Sequence, residues 1–358
     1  MHIVFDTYEL IPGQGKSIGI YNYAKNLLQA LALIIDDSTE VTVVCNAFNL
    51  ADFSCEHKAV NSIVISERTP GKFSRLAWLF GRAAWVVNQL KADVYFSPKG
   101  FLPMGIKALS AKTKTVVVIH DLIPLWYAEH FPGYFGRMEE LFINRSLSAG
   151  VKNADRIIAI SDATADDIAV RLGRKQGVAT VHNGIPMTPP GPRPFAQPYI
   201  FAMSSPLPHK NADGLLAAYT AYRTLVEKPL PLIVCGIADP KRVGVTAIKG
   251  LDSATLHAYY AYADLFVFLS LIEGFGFPPA EALAHGTSVL CSDIPSLREV
   301  AKDLAEYVPP DQPEIAGRRI AELLRQDALP EAKQAKAAIL REYTWNACAN
   351  GVLAAIRN

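Results

Sequence analysis

Short β-branched runs separated by helical periods recur along nearly the whole chain, and that alternation leaves few folds open. In the first half the runs are HIVFDTY, VTVVC, SIVIS, VYFSP, TVVVIHD and RIIAIS. Several are apolar at consecutive positions, as strands covered on both faces must be. Between the first two, Ile20, Ala24, Leu27, Leu28, Leu31 and Ile35 recur at three- and four-residue spacing, which predicts a helix. Strand, helix and strand in succession imply a parallel sheet with helices on both sides. The pattern stops at NGIPMTPPGPRPFAQP, residues 183–198, where six prolines and two glycines exclude regular structure and mark a linker. It resumes in YIFAMS, PLIVCG, VTAIKG, LFVFLS and SVLCSD, with the helical stretch NADGLLAAYTAYRTLVE among them. A chain of 358 residues is long for one core. The expected class is therefore α/β, with two facing Rossmann-like domains of parallel sheet. The boundaries read as 1–183, a Pro-rich linker 184–198, a second domain 199–340 and a closing helical segment 341–358. Such sheets bind ligands beyond the carboxyl ends of their strands, so a substrate cleft between the domains is expected.

The net charge of +1 argues against nucleic acid as a main partner. The charge is uneven: nine basic residues lie between Arg68 and Lys114 against one acid, Asp93. Five dispersed cysteines without a C-x-x-C pair fit a reducing, cytoplasmic setting. The charged start MHIVFDTYEL does not read as a signal peptide, and no apolar run approaches the length of a spanning helix. A soluble protein, or one attached to a membrane face, is expected.

Two glycine-bearing loops invite a phosphate. IPGQGKSIG, residues 11–19, looks like a P-loop, but that motif needs a glycine where Leu10 stands. A flexible turn between strand and helix explains it as well. LIEGFGFPPAEAL, residues 271–283, is more informative. It follows an apolar strand, holds Gly274 and Gly276 in a tight loop, and offers Pro278 at the predicted first helical position. A helix N-terminus favours an anion through its free N–H groups and its dipole. Glu273 and Glu281 flank the same spot, and carboxylates would repel a phosphate. They are therefore expected to address hydroxyls, and hydroxyls beside phosphates describe a nucleotide-sugar.

The two glutamates around a Gly-Phe-Gly loop resemble the signature of the retaining GT-B glycosyltransferases of family 4, the group 1 glycosyl transferases. VVVIHDLIPLWYAEHFP, ADRIIAISDATADDI, VHNGIP and SSPLPHKN resemble further segments of that family, in the same order. The resemblance covers nearly the whole chain and is similar to mannosyltransferase-type members. It implies that Lys210 pairs with the donor diphosphate, Glu273 holds the transferred sugar and Glu281 the ribose. His120 would face the sugar from the first domain, with Asp121 beside it. Ser204, His209, Leu251, Gly274, Phe275 and Gly276 would complete the donor side, with Leu251 next to the base. Gly15 and Gly19, in the opening loop, would line the acceptor side, and the last helix would cross back to the first domain. No metal and no cofactor beyond the nucleotide-sugar is implied. The acceptor would be a glycan or a polyprenyl-linked oligosaccharide of bacterial surface-polysaccharide synthesis, and GDP-mannose the donor, with glucose, rhamnose and N-acetylglucosamine donors as rivals.

Two departures stand out. AMSS replaces a Gly-Arg pair found in many relatives, leaving His209 and Ser204 to substitute for the second cation. Lys16-Ser17 replaces glycines in the opening loop. Read without the family, His120 is a strand-end histidine, Lys210 a surface lysine, and Glu273 and Glu281 helix-start carboxylates. Rival functions are a glycoside hydrolase using Glu273 and Glu281 as acid and nucleophile, and a non-catalytic two-domain sugar-binding protein. In the basic segment, KFSRLAWLFGRAAWVVNQLK fits either a helix lying on an anionic membrane, peripheral to the inner membrane, or a core helix with a solvated edge.

Overall fold

The computed structural model describes residues 1–13, 18–66, 70–109, 112–325 and 331–358. The chain forms two compact units: Met1–Gly184 with Trp345–Asn358, and Ile185–Thr344. The Pro-rich stretch thus belongs with the second unit, and the closing helix Trp345–Arg357 with the first.

The first unit carries β1 (His2–Asp6), β2 (Glu40–Asn46), β3 (Val60–Ser66), β4 (Val94–Ser97), β5 (Lys114–Ile119), β6 (Arg156–Ala159) and β7 (Val178–Thr180). Their order across the sheet is β3-β2-β1-β4-β5-β6-β7, and every pairing is parallel. The second unit repeats the plan with β8 (Ile200–Met203), β9 (Leu232–Cys235), β10 (Val245–Ile248), β11 (Leu265–Phe268), β12 (Val289–Ser292) and β13 (Glu306–Val308). Its order is β10-β9-β8-β11-β12-β13, again wholly parallel. Both are Rossmann-like sheets. The chain reverses its direction of growth between β1 and β4 in one and between β8 and β11 in the other, so a crevice opens past the carboxyl ends of those pairs.

Consecutive apolar residues make the inner strands because both faces are covered. Ile200, Ala202, Val234, Val267 and Leu290 pack under Leu215, Ala218, Tyr219 and Tyr222 of the helix Ala212–Leu225, and under Ala316 and Ile320 of the helix Pro313–Leu323. These two helices touch so closely that a Cβ on Gly317 would lie 2.7 Å from the Ala218 carbonyl oxygen and 2.8 Å from the Tyr222 nitrogen. In the first unit the stripe of the helix Ile18–Ile34 seats Ala24, Leu27, Leu28 and Leu31 in the core.

The basic segment is not one helix. It is the helix Lys72–Ala77, a π-turn Trp78–Arg82 and the helix Ala83–Gln89, broken at Gly81, whose φ of 155° suits only glycine. Trp78, Ala83, Ala84, Val86 and Val87 face the core, while Phe73, Phe80 and Trp85 face solvent. A core helix and an exposed apolar edge therefore coexist. Lys99 departs from a solvated basic edge altogether, because it is buried.

Candidate active site

The switch point of the second sheet gathers the loops after β8 and β11. Past β8 the chain makes a single 3-10 turn, Pro208–Lys210, and Asn211 turns left-handed at φ 51°. Its amide donates to the carbonyls of Leu269 (2.9 Å) and Pro310 (2.8 Å), and the Leu271 N–H donates to the His209 carbonyl (2.7 Å). The Ser204 hydroxyl donates to the Lys210 carbonyl at 3.0 Å. The two loops are stitched together, and Lys210 Nζ meets Glu273 Oε1 at 2.5 Å with 24 % and 10 % of the side chains exposed. The ammonium also stands 5.5 Å from the Phe268 ring centre, within cation–π range.

The glycine loop that follows is shaped by backbone. Gly276 has φ 105° and a Cβ there would lie 2.3 Å from Leu297 Cδ2. The Phe275 side chain is buried, edge-on to Tyr343 (5.6 Å between centres) and tilted against Phe277 (5.2 Å), so only its backbone is available to a donor. The helix begins at Phe277, with Pro278 and Pro279 next. Pro278, expected at the first helical position, is thus the second, and of the first three residues only Phe277 carries an N–H, fewer free donors than an ordinary helix start offers. The dipole remains; the amides that can meet a phosphate belong to the loop rather than the helix.

Glu281 lies on that helix. Burial pushes its carboxyl up to about 7, against a hydrogen bond with the Tyr260 hydroxyl that pulls it down. Burial likewise holds His209 neutral, down to about 4, reinforced by the Lys210 ammonium and opposed by Glu273. In the ligand-free site, therefore, the imidazole of His209 is neutral and the Ser204 hydroxyl already donates to a carbonyl, so neither carries a charge there. Leu251 lies past β10, at the far edge of the sheet and two strands from β8. It is placed by Gly250 (φ 67°) and by Asp252, which caps the next helix through the Thr255 N–H at 2.8 Å.

In the first unit, His120 follows β5. Its Nε2 lies 2.7 Å from the Pro98 carbonyl and must donate the proton, because a carbonyl only accepts. Nδ1 is then the bare nitrogen. Burial lowers this imidazole to about 4, with the Pro98 carbonyl acting in the other direction, and Tyr23 stands edge-on to it at 4.8 Å. Asp121 turns inward on its own chain, accepting from the Ile123 N–H at 3.0 Å at the entry to the helix Ile123–His130. Gly19 sits in the first turn of the helix Ile18–Ile34, and Gly15 lies outside the described residues.

Sequence reasoning missed one charged cluster at the other switch point. At the end of β1, Asp6 accepts from the Tyr8 N–H and the Trp78 indole, both at 3.0 Å, and from the Tyr95 hydroxyl. Lys99, just past β4, stands 3.3 Å from Asp6 and pairs closely with Glu9. Burial alone would lower the lysine, but the two carboxylates more than offset it and hold the ammonium above its ordinary range. Nothing in the spacing of residues 6, 9 and 99 announces this cluster.

Comparison with known proteins agrees with the geometry. The family model for glycosyl transferases group 1 matches residues 191–341, and that for glycosyltransferase family 4 matches residues 19–188. O-antigen chain mannosyltransferase B of Escherichia coli is 26 % identical over 295 residues, covering 75 % of this chain and 74 % of that one. O-antigen chain mannosyltransferase RfbU of Salmonella typhimurium is 24 % identical over 311 residues, covering 83 % and 85 %. Among solved structures, sucrose-phosphate synthase of Thermosynechococcus elongatus superposes with a TM-score of 0.73 at 18 % identity, covering 100 % and 98 %. HepE of Anabaena, solved with UDP and glucose, superposes with 0.72 at 17 %, covering 100 % and 99 %. Two parallel Rossmann-like sheets, a lysine–glutamate contact at a switch point and family matches along both units lead to one conclusion: the chain is a GT-B glycosyltransferase, a member of the group 1 glycosyl transferases similar to the O-antigen mannosyltransferases.

Proposed function

We propose that the enzyme moves mannose from GDP-mannose, with retention of anomeric configuration, to a glycan or lipid-linked oligosaccharide of a bacterial surface polysaccharide. The observation that carries this reading is the Lys210–Glu273 contact beside the glycine loop. A donor diphosphate entering there exchanges for Glu273 as the partner of Lys210, neutralising the leaving group in a charge-assisted contact. Glu273, released, accepts from hydroxyls of the sugar, and Glu281 from the ribose. Nδ1 of His120 offers an acceptor to a sugar hydroxyl from the first unit. The acceptor hydroxyl attacks from the face the diphosphate leaves, and a phosphate oxygen takes its proton, so no protein nucleophile is required. Lys210 and the loop amides carry the charge in this scheme without a divalent ion, and turnover is expected to persist in EDTA.

The donor identity rests on similarity to proteins described as mannosyltransferases. Work at the inner-membrane face belongs to the same proposal; no helix among the described residues is long and apolar enough to cross a membrane. Thermal-shift and turnover assays against a panel of nucleotide-sugars test it. Stabilisation and turnover with GDP-mannose alone is the expected result; turnover only with a UDP-sugar would remove mannose, and an inverted product by anomeric NMR would remove retention.

A further inference from the structure

A surface groove of about 500 Å³ in the first unit lies outside the residues assigned above. One wall is the helix Arg137–Asn153, which turns Met138, Leu141, Phe142 and Arg145 to it at three- and four-residue spacing. The same helix seats Leu147 and Val151 in the core. It therefore carries two apolar stripes, where a surface helix ordinarily carries one. The opposite wall is the π-turn, with Leu79 and Phe80. That turn is built in: the Met104 N–H donates to the Leu79 carbonyl at 2.7 Å, and Gly81 is required by its φ, since a Cβ there would meet nothing within 4 Å. Met138, Phe80 and Leu141 are 79, 57 and 45 % exposed. Single exposed apolar residues are ordinary, but a concave, continuous apolar lining is not.

Position and charge narrow the occupant. Leu102 and Met104, which also line the groove, lie in the segment that follows β4, past its carboxyl end, so the groove reaches the carboxyl edge of the sheet, the side on which such sheets bind their ligands. Arg145 lines the groove, and Arg75 and Arg82 stand exposed along the other wall element. Among the described residues none of the three guanidinium groups pairs with a carboxylate; Arg75 and Arg82 donate only to the carbonyls of Pro70 and Ile65. The acids of the groove helix, Glu139 and Glu140, do not line it, and Glu140 accepts from the Gly133 N–H at 2.8 Å.

We propose that this groove takes one aliphatic chain of an anionic membrane phospholipid, with Arg145 against the headgroup phosphate. The inference rests on the reading that the enzyme works at a membrane face. The chain fills an apolar site of the size that holds small ligands, and arginines without a carboxylate partner among the described residues match a phosphate-bearing leaflet.

The test uses the full chain and vesicles of phosphatidylglycerol in phosphatidylcholine, part of the lipid carrying a diazirine in one acyl chain. Crosslinks are expected on the peptides containing Phe80 and residues 138–149. Leu141→Gln, at an exposed position the fold tolerates, should weaken vesicle binding about tenfold, the equivalent of one buried leucine side chain. Arg145→Gln should weaken it and reduce its salt dependence. Crosslinks confined to other surfaces, binding indifferent to Leu141→Gln, or a dimer in solution abolished by that variant would each overturn the proposal, the last by assigning the groove to a second copy. Donor-induced thermal stabilisation is measured on the same variants. Vesicle binding indifferent to Leu141→Gln while the donor still stabilises the parent chain is failure of the groove alone; no donor stabilisation of the parent chain while the crosslinks and the Leu141→Gln effect stand is failure of the glycosyltransfer reading alone.

Discussion

Lys210 and Glu273 close on each other at 2.5 Å across the loops that follow two adjacent strands, β8 and β11, so the ammonium is held in place by a carboxylate. On the proposed function, a donor phosphate would compete there with that carboxylate rather than with water. Lys210→Ala removes the cation from a preorganised position and should cost about 3 kcal/mol of transition-state stabilisation, roughly a hundredfold in kcat/KM. Steady-state kinetics with the cognate donor check this, and turnover equal to that of the parent would take Lys210 out of the mechanism.

On the proposed function, Glu281 should give donor binding a pH dependence. With its carboxyl at about 7, it ionises through the neutral range, and only the ionised form accepts on both oxygens with no O–H of its own between them. The KM for the donor should therefore fall as pH rises from 6 to 8. Glu281→Gln, which mimics the protonated form, should flatten that profile while raising KM at pH 8. A profile in the variant as steep as in the parent would assign the titration to another group.

Much of this architecture can be read from residue order, and the exceptions have physical causes. The eleven expected strands all form; the inner ones are apolar runs buried on both faces, and β3 and β10, less buried, pair at the sheet edges. The two that escape reading, β7 and β13, are three residues long and lie at sheet edges, too short for any period to register. The glycine loop is legible because its chemistry is contiguous. The double proline after Phe277 was equally visible and changes the donor count, a signal in plain view. The neutral state of His209 depends on burial, which one residue's neighbours in sequence do not report. The pairing of Glu9 with Lys99 spans ninety positions, and only the parallel order β1-β4 brings them together.

His209 should make the second unit sensitive to acid. Its folded value of about 4 lies below the ordinary 6.5, so between these values the unfolded chain binds a proton that the folded one refuses. Stability is then complete above pH 6.5 and is lost as pH falls toward 4, by up to about 3 kcal/mol from this one side chain. His209→Gln should reduce the fall in the calorimetric transition of the second unit over that window. A variant that loses stability on acidification as the parent does would show that His209 is not the group responsible.

The buried cluster of the first unit can be probed separately, because Trp78, Trp85, Trp126 and Trp345, the only tryptophans of the chain, all lie in that unit. Lys99→Met leaves Asp6 and Glu9 with no cation between them, and breaking such a buried pair costs about 3–5 kcal/mol. Tryptophan fluorescence in a urea titration should show the loss as a lower midpoint with the slope unchanged. Pairing the change with Glu9→Gln removes one of the stranded charges, so the double variant should be more stable than Lys99→Met alone, with a coupling of 0.5 kcal/mol or more by the double-mutant cycle, as expected of groups in contact. Additive effects would mean that Glu9 is held by solvent and that Asp6 alone keeps the ammonium charged.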